Sequence, residues 1–284
     1  MRLGGIRRLA PLLMIALLAV AAFILHHHLQ AYRYEDVRQS LRAISGGRIA
    51  LAVCATALSY WILTGYDTLA LRYLGRELRY RRVAFASFLG YTFAHNLGLS
   101  VLGGAAPRYR LYTAWGLGAG EIGLVVAFTA VTFWLGIFGI AGVALVLEAE
   151  AFAGTLRIAA DLARALGIAL LALVAAYLVV AALRRRALSI RGWTLPIPRL
   201  TTALPQIAVA AVDWVVAASV LYVLLPADAA PAFPHFVGLF VIAQLAGVTS
   251  HVPGGLGVFE TVLIFALVPP GSPPDVVGRC SSTA

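Results

Sequence analysis

Three acids stand inside apolar stretches: Asp67 in "SYWILTGYDTLAL", Asp213 in "AVAAVDWVVAAS" and Glu260 in "TSHVPGGLGVFE". An ionised carboxylate at membrane depth costs several kcal/mol unless it is paired, protonated or wet, so each is a functional candidate by default. Two of the surrounding stretches are also broken. Residues 95–107 place His95, Asn96, Gly98, Gly103, Gly104 and Pro107 where a continuous helix would carry leucine, and residues 249–260 hold Pro253, Gly254, Gly255 and Gly257. A half-helix that starts near Gly257 directs unpaired N–H groups and about half a positive charge inward, and glycines let an anion approach the backbone. That chemistry suits a phosphate. Arg108 and Arg110 in "APRYRLY" supply planar forks for bidentate phosphate contacts.

Each of these residues also has a plainer reading. The arginines suit snorkelling to head groups at the bilayer edge, Pro253 and the glycines suit a packing kink, and Glu260 suits a cap on the first turn after the break. His95 and His251 fit a proton relay or the satisfaction of broken backbone.

The elements that must position these groups follow from composition. The 284 residues are 61% hydrophobic and 12% charged, with a mean hydropathy of +0.90, far from the roughly 25% charge of a soluble domain. Apolar runs at 9–25, 49–74, 121–147, 164–183, 204–225 and 236–268 reach or approach the ~20 residues that cross ~30 Å of hydrocarbon. The fold class expected is all-α: a polytopic integral membrane bundle with broken, re-entrant helices, residues 1–268 forming the membrane domain and 269–284 a polar tail. Between the first two runs, Ala31, Tyr34, Val37, Leu41 and Ile44 recur at helical spacing among charges, which predicts a surface helix over 31–45.

All the basic charge is arginine, and it clusters beside the apolar runs. Nucleic-acid binding is excluded on this ground, since no basic soluble region exists to track a phosphate backbone. Segments 72–82 and 184–199 carry five arginines each and 226–235 none, so the first two belong on the cytoplasmic side. With two crossings between them, segment 83–106 must enter and return to one face. The four arginines of 29–48 weigh against this arrangement. The N-terminal arginines before an uncleaved first span place the N-terminus in the cytoplasm. Cys54, Cys280 and the His26–His28 tract give neither a disulfide framework nor metal-ligand spacing, so neither metal nor cofactor is expected. No zinc, nucleophile-elbow or P-loop motif occurs. The halves echo each other weakly, with Ser100 and Gly103-Gly104 against Ser250 and Gly254-Gly255 after a one-residue offset; interrupted segments in both halves point to a transport site.

"GLSVLGGAAPRYRLYTAWGL" (98–117), "FTAVTFWLG" (128–136) and "SHVPGGLGVFE" (250–260) resemble the membrane region of the bacterial lysylphosphatidylglycerol synthase/flippase family, also called multiple peptide resistance factor. The resemblance implies a multi-pass protein of the bacterial inner membrane that moves aminoacylated (lysyl-) phosphatidylglycerol outward and confers resistance to cationic peptides. It implies an anionic phospholipid as partner and functional roles for Asp67, Arg108 and Arg110. Full-length relatives add a cytoplasmic synthase domain, a phosphatidylglycerol lysyltransferase. The polar end "RCSSTA" departs from that pattern and reads as a truncated or frame-shifted product, which leaves enzyme activity open. Two other readings stand beside the flippase: the membrane part of such a lysyltransferase, and an ion-coupled transporter of a small anion. A homo-oligomer stays open.

Overall fold

The computed structural model describes residues 44–97, 104–183, 188–190, 193–195, 198–226, 230–250, 255 and 257–267. The expected span 9–25, nearly all of the surface helix 31–45, the tail 269–284, and Asn96 (as a side chain), Gly98, Ser100, Gly103, His251, Pro253 and Gly254 lie outside the described residues.

The described chain is helical: α1 Gly46–Tyr73, α2 Tyr80–Leu97, α3 Ala105–Ala114, α4 Ala119–Leu147, α5 Ala149–Leu156, α6 Ala160–Leu183, α7 Leu200–Leu224, α8 Phe233–Thr249 and α9 Val258–Leu267. Among the described residues the one departure from all-α is a small antiparallel hairpin between α6 and α7, β1 Leu188–Ile190 with β2 Trp193–Leu195, in register Leu188 to Leu195. Helices α1, α4, α6 and α7 are long and apolar enough to cross a bilayer. They expose Leu51, Val53, Trp61, Ile168, Leu173 and Val212 outward, the pattern of a protein whose outer solvent is lipid. The chain is a multi-pass membrane protein.

Two helix ends turn the chain at the root of the first broken segment. α1 stops in a Schellman turn, Gly75 at φ +68° with Arg76 N–H donating to the Leu71 carbonyl. α3 stops in the same way, with Gly116 at φ +91° and Leu117 N–H donating to the Tyr112 carbonyl. Between these turns α2 and α3 run antiparallel. A Cβ on Gly104 would sit 2.7 Å from the Gly90 carbonyl, Val83 and Ala86 share a buried cluster with Tyr112 and Leu117, and Arg82 lies 5.6 Å over the Trp115 ring. Start and end of the pair therefore lie side by side. The sequence places the return over 83–106; the structure extends its second limb to Ala114.

The expected span 236–268, with its break at 249–260, is two helices. α8 and α9 are separate and fold back on each other, with Phe240 against Phe259 at 5.4 Å and Gly255 built against Gly247. The reason is backbone geometry, since Gly255 and Gly257 hold φ of +66° and +82°, which no continuous right-handed helix allows.

These two hairpins are rooted at opposite ends of α4, whose 29 residues span about 43 Å. Ile122, Val125 and Phe128 pack on the first root with Ala70, Leu71 and Val83. Leu145, with Ala149 and Phe152 of α5, packs on the second with Leu225 and Phe236. Helices α1 and α7 form the antiparallel centre, the Arg48 guanidinium donating to the Leu225 carbonyl at one end and Gly65 meeting Val209 further along. Small residues permit the close crossings. Gly142 and Gly167 present their carbonyls to each other's Cα at α4–α6, and Gly136 makes room for Trp214 at α4–α7. A buried relay, Tyr177 to Gln206 to Thr132 (2.7 Å for the last bond), ties α6, α7 and α4 together.

Candidate functional site

Tyr66 and Asp67 are neighbours on α1, about 100° apart around its axis, so one helix supplies two separate polar constellations. Asp67 turns toward the first hairpin. Its oxygens accept from Arg108 Nε and Nη2, both at 2.9 Å, and Oδ1 also accepts from Tyr112 Oη at 2.8 Å. Both partners come from α3, and the set is buried: Asp67 is 0% and Arg108 3% exposed. Arg108 lies 4.5 Å over the Tyr91 ring, and its Nη1 donates to the Gly104 carbonyl at 3.3 Å. Gly90 is required beneath it, because a Cβ there would stand 2.7 Å from the guanidinium carbon. A buried carboxylate with a bidentate cation and a phenol has its charge and lone pairs answered.

Asp213 on α7 is held differently. Ser59 Oγ donates to Oδ1 at 3.0 Å and Tyr66 Oη to Oδ2 at 2.9 Å. Ser59 and Tyr66 are seven residues apart, two turns of α1, and so share a face. No cation bonds Asp213 among the described residues, whose ion pairs are Arg76–Glu121, Arg108–Asp67, Arg164–Asp161 and His235–Glu148. It is 7% exposed, and that small exposure opens into a cavity of about 220 Å³.

The cavity lies between the two hairpins. Tyr91, His95 and Arg108 approach from the first, Gln244, Gly247 and Gly255 from the second, and α4 and α7 close it with aromatic rings, Phe133, Trp134 and Trp214 among them. It is therefore a polar and aromatic space in the middle of an apolar bundle, reached by both broken elements.

The remaining sequence candidates fall elsewhere. Arg110 is exposed on the other face of α3 and does not line the cavity. Glu260 folds onto its own helix, its Oε2 accepting from Gly257 N–H at 2.7 Å, so it places a carboxylate at the start of α9, where the sequence pattern suits an external anion. Gly255 lines the cavity and Gly257 begins the turn. Pro253 and Gly254 lie outside the described residues. The sequence motifs do not single out Ser59, Tyr66 or Tyr91, although Ser59 and Tyr66 carry a signal in their seven-residue spacing on a helix.

Residues 9–278 match the family described as the lysylphosphatidylglycerol synthase TM region. The protein slr0712 of Synechocystis sp. is 36% identical over 274 residues, 96% of this chain and 85% of that protein. Inner membrane protein YbhN of Escherichia coli is 33% identical over 236 residues, 82% of this chain and 73% of its own length. A phosphatidylglycerol lysyltransferase of Staphylococcus epidermidis is 47% identical over 60 residues, 21% of this chain and 7% of that enzyme.

Proposed function

The chain belongs to the lysylphosphatidylglycerol synthase transmembrane-region family, and from that premise we propose that it is a phospholipid flippase region. Its cargo in this reading is aminoacylated (lysyl-) phosphatidylglycerol, carried across the bacterial inner membrane, where a less negative outer surface resists cationic peptides. The observation that supports it most is Asp213, a buried carboxylate without a described cation that opens into the central cavity. A lipid ammonium group is the kind of partner such a carboxylate needs. The aromatic walls add favourable faces for a cation, and the Nη1 edge of Arg108, whose bond to Gly104 is its longest, meets the lipid phosphate.

In this reading the hairpins are gates. α2–α3 enters from the cytoplasmic face beside the arginines of 72–82, and α8–α9 enters from the outer face, with the N-terminus inside. On this reading the two hairpins act as inverted counterparts around a midplane site. With Cys54 and Cys280 replaced by serine, single cysteines at Arg76 and Ala187 should resist an impermeant thiol reagent in intact cells while one at Ala229 reacts. Opposite accessibility of 76 and 187 would remove the gate assignment.

The function is tested in vesicles reconstituted with the full chain and labelled lysyl-phosphatidylglycerol. Wild-type protein should equilibrate the lipid between leaflets, and Asp213→Asn should fall to the protein-free rate at equal protein content. Equal rates for the two proteins would remove Asp213 as the headgroup site.

A further inference from the structure

Building on that reading, we propose that Asp213 is a cation-exchange site at which a proton and the lipid ammonium alternate, so that the protein is a proton–lipid antiporter. The two buried acids differ first in their partners. Asp67 has a resident cation, whereas Asp213 receives hydrogen bonds only from two neutral hydroxyls among the described residues. A carboxylate buried among membrane helices does not stay ionised without a counter-ion. With none built in, the counter-ion is mobile: a proton when the cavity holds no headgroup, an ammonium when it does.

The hydroxyl partners suit both states. Ser59 and Tyr66 each carry one O–H donor and lone pairs. They donate to the carboxylate while an ammonium is present, and either oxygen accepts once Asp213 is protonated. The heavy atoms need not move. A guanidinium, with donors only, has no such freedom, and so the Asp67 pair does not exchange.

The step balances. An ammonium approaches protonated Asp213, the carboxyl O–H bond breaks, and the proton leaves through the cavity as the ion pair forms. On the far side the ammonium departs and a proton from that side restores the O–H bond. One positive charge moves each way. The other titratable groups lining the cavity are Tyr91 and His95 on α2 and Arg108 on α3, and behind them Tyr66 and Asp67 on α1 bond Asp213 and Arg108. α4 and α8 contribute neutral side chains there, such as Thr129 and Gln244. His95 is the rival proton carrier, and the experiment separates it.

Two readouts test the proposal on the full chain. In weakly buffered detergent with a pH indicator, short-chain lysyl-phosphatidylglycerol added to wild-type protein should release protons, and plain phosphatidylglycerol should not. Asp213→Asn should release none. Asp213→Glu, which keeps the carboxyl, should still release them and so shows that the site rather than the fold is read. In vesicles, a one-unit pH gradient should shift the leaflet ratio of the lipid about tenfold, since one proton moving down that gradient is worth about 1.4 kcal/mol, a factor of ten. Active translocation with a leaflet ratio indifferent to the gradient overturns the antiport and leaves the flippase standing. Proton release that persists in Asp213→Asn overturns the assignment to Asp213 and moves it to His95. Wild-type protein that neither binds nor translocates the lipid overturns both readings together.

Discussion

Asp67 and Asp213 stand in like places, each on a long helix that precedes a broken hairpin, yet one is closed and the other open. Asp67 takes a bidentate arginine and a tyrosine from the hairpin that follows it, and no part of it is exposed. Asp213 takes nothing from its own hairpin among the described residues. Its partners, Ser59 and Tyr66, come from α1, the same helix that carries Asp67. The first acid fastens a hairpin to the bundle, and the second, with no bond to its own hairpin among the described residues, faces the cavity. Two acids that look alike in the chain are thus separated by what answers their charge. A carboxylate already paired in two places has little left to offer a lipid, so we propose a positioning role for Asp67.

The largest test of that division is Arg108→Ala. It strands Asp67 in the interior, and breaking a buried pair in this way costs about 3–5 kcal/mol. The protein should lose most of its abundance in the membrane and its thermal stability in detergent. Asp67→Leu combined with Arg108→Leu should recover stability, since an apolar pair of similar volume leaves no charge unanswered. Asp213→Asn alone should barely change stability. If Asp213→Asn melts as early as Arg108→Ala, the two acids are both structural and the division fails.

The breaks themselves are legible in the amino-acid sequence, because glycine and proline at 98–107 and 253–257 stand where an apolar helix has no use for them. Direction is not. Run 236–268 reads as a span with a break in it, and among the described residues the positive φ of Gly255 and Gly257 marks where its second part turns back along the first. Pairing is hidden for a similar reason. Arg108 lies 41 residues from Asp67, and nothing in its own stretch separates it from Arg110, which is exposed two residues later. One turn of α3 decides which arginine enters the bundle. Tyr66 and Tyr112 are fully buried, because each finds a carboxylate for its hydroxyl. The plainer reading of Glu260 as a cap agrees with its bond to Gly257.

Those two tyrosines provide the finest comparison. Tyr112→Phe and Tyr66→Phe each delete one hydroxyl bond to a buried acid, a loss of about 1.5–3 kcal/mol when the acid is charged. Tyr112→Phe leaves Asp67 with both arginine bonds, so the melting temperature should fall while translocation per folded molecule stays near that of the wild type. Tyr66→Phe leaves Asp213 with Ser59 alone. If Asp213 carries a proton in the resting state, its charge is already cancelled and the stability loss should be the smaller of the two, about the 0.5–1.5 kcal/mol of a neutral bond. The rate should nevertheless change, because one of the two hydroxyls that accommodate both protonation states is gone. Thermal melts in detergent and vesicle translocation on the same preparations measure both quantities. A larger stability loss for Tyr66→Phe than for Tyr112→Phe would mean that Asp213 is ionised at rest, and with it the open and closed acids would exchange places.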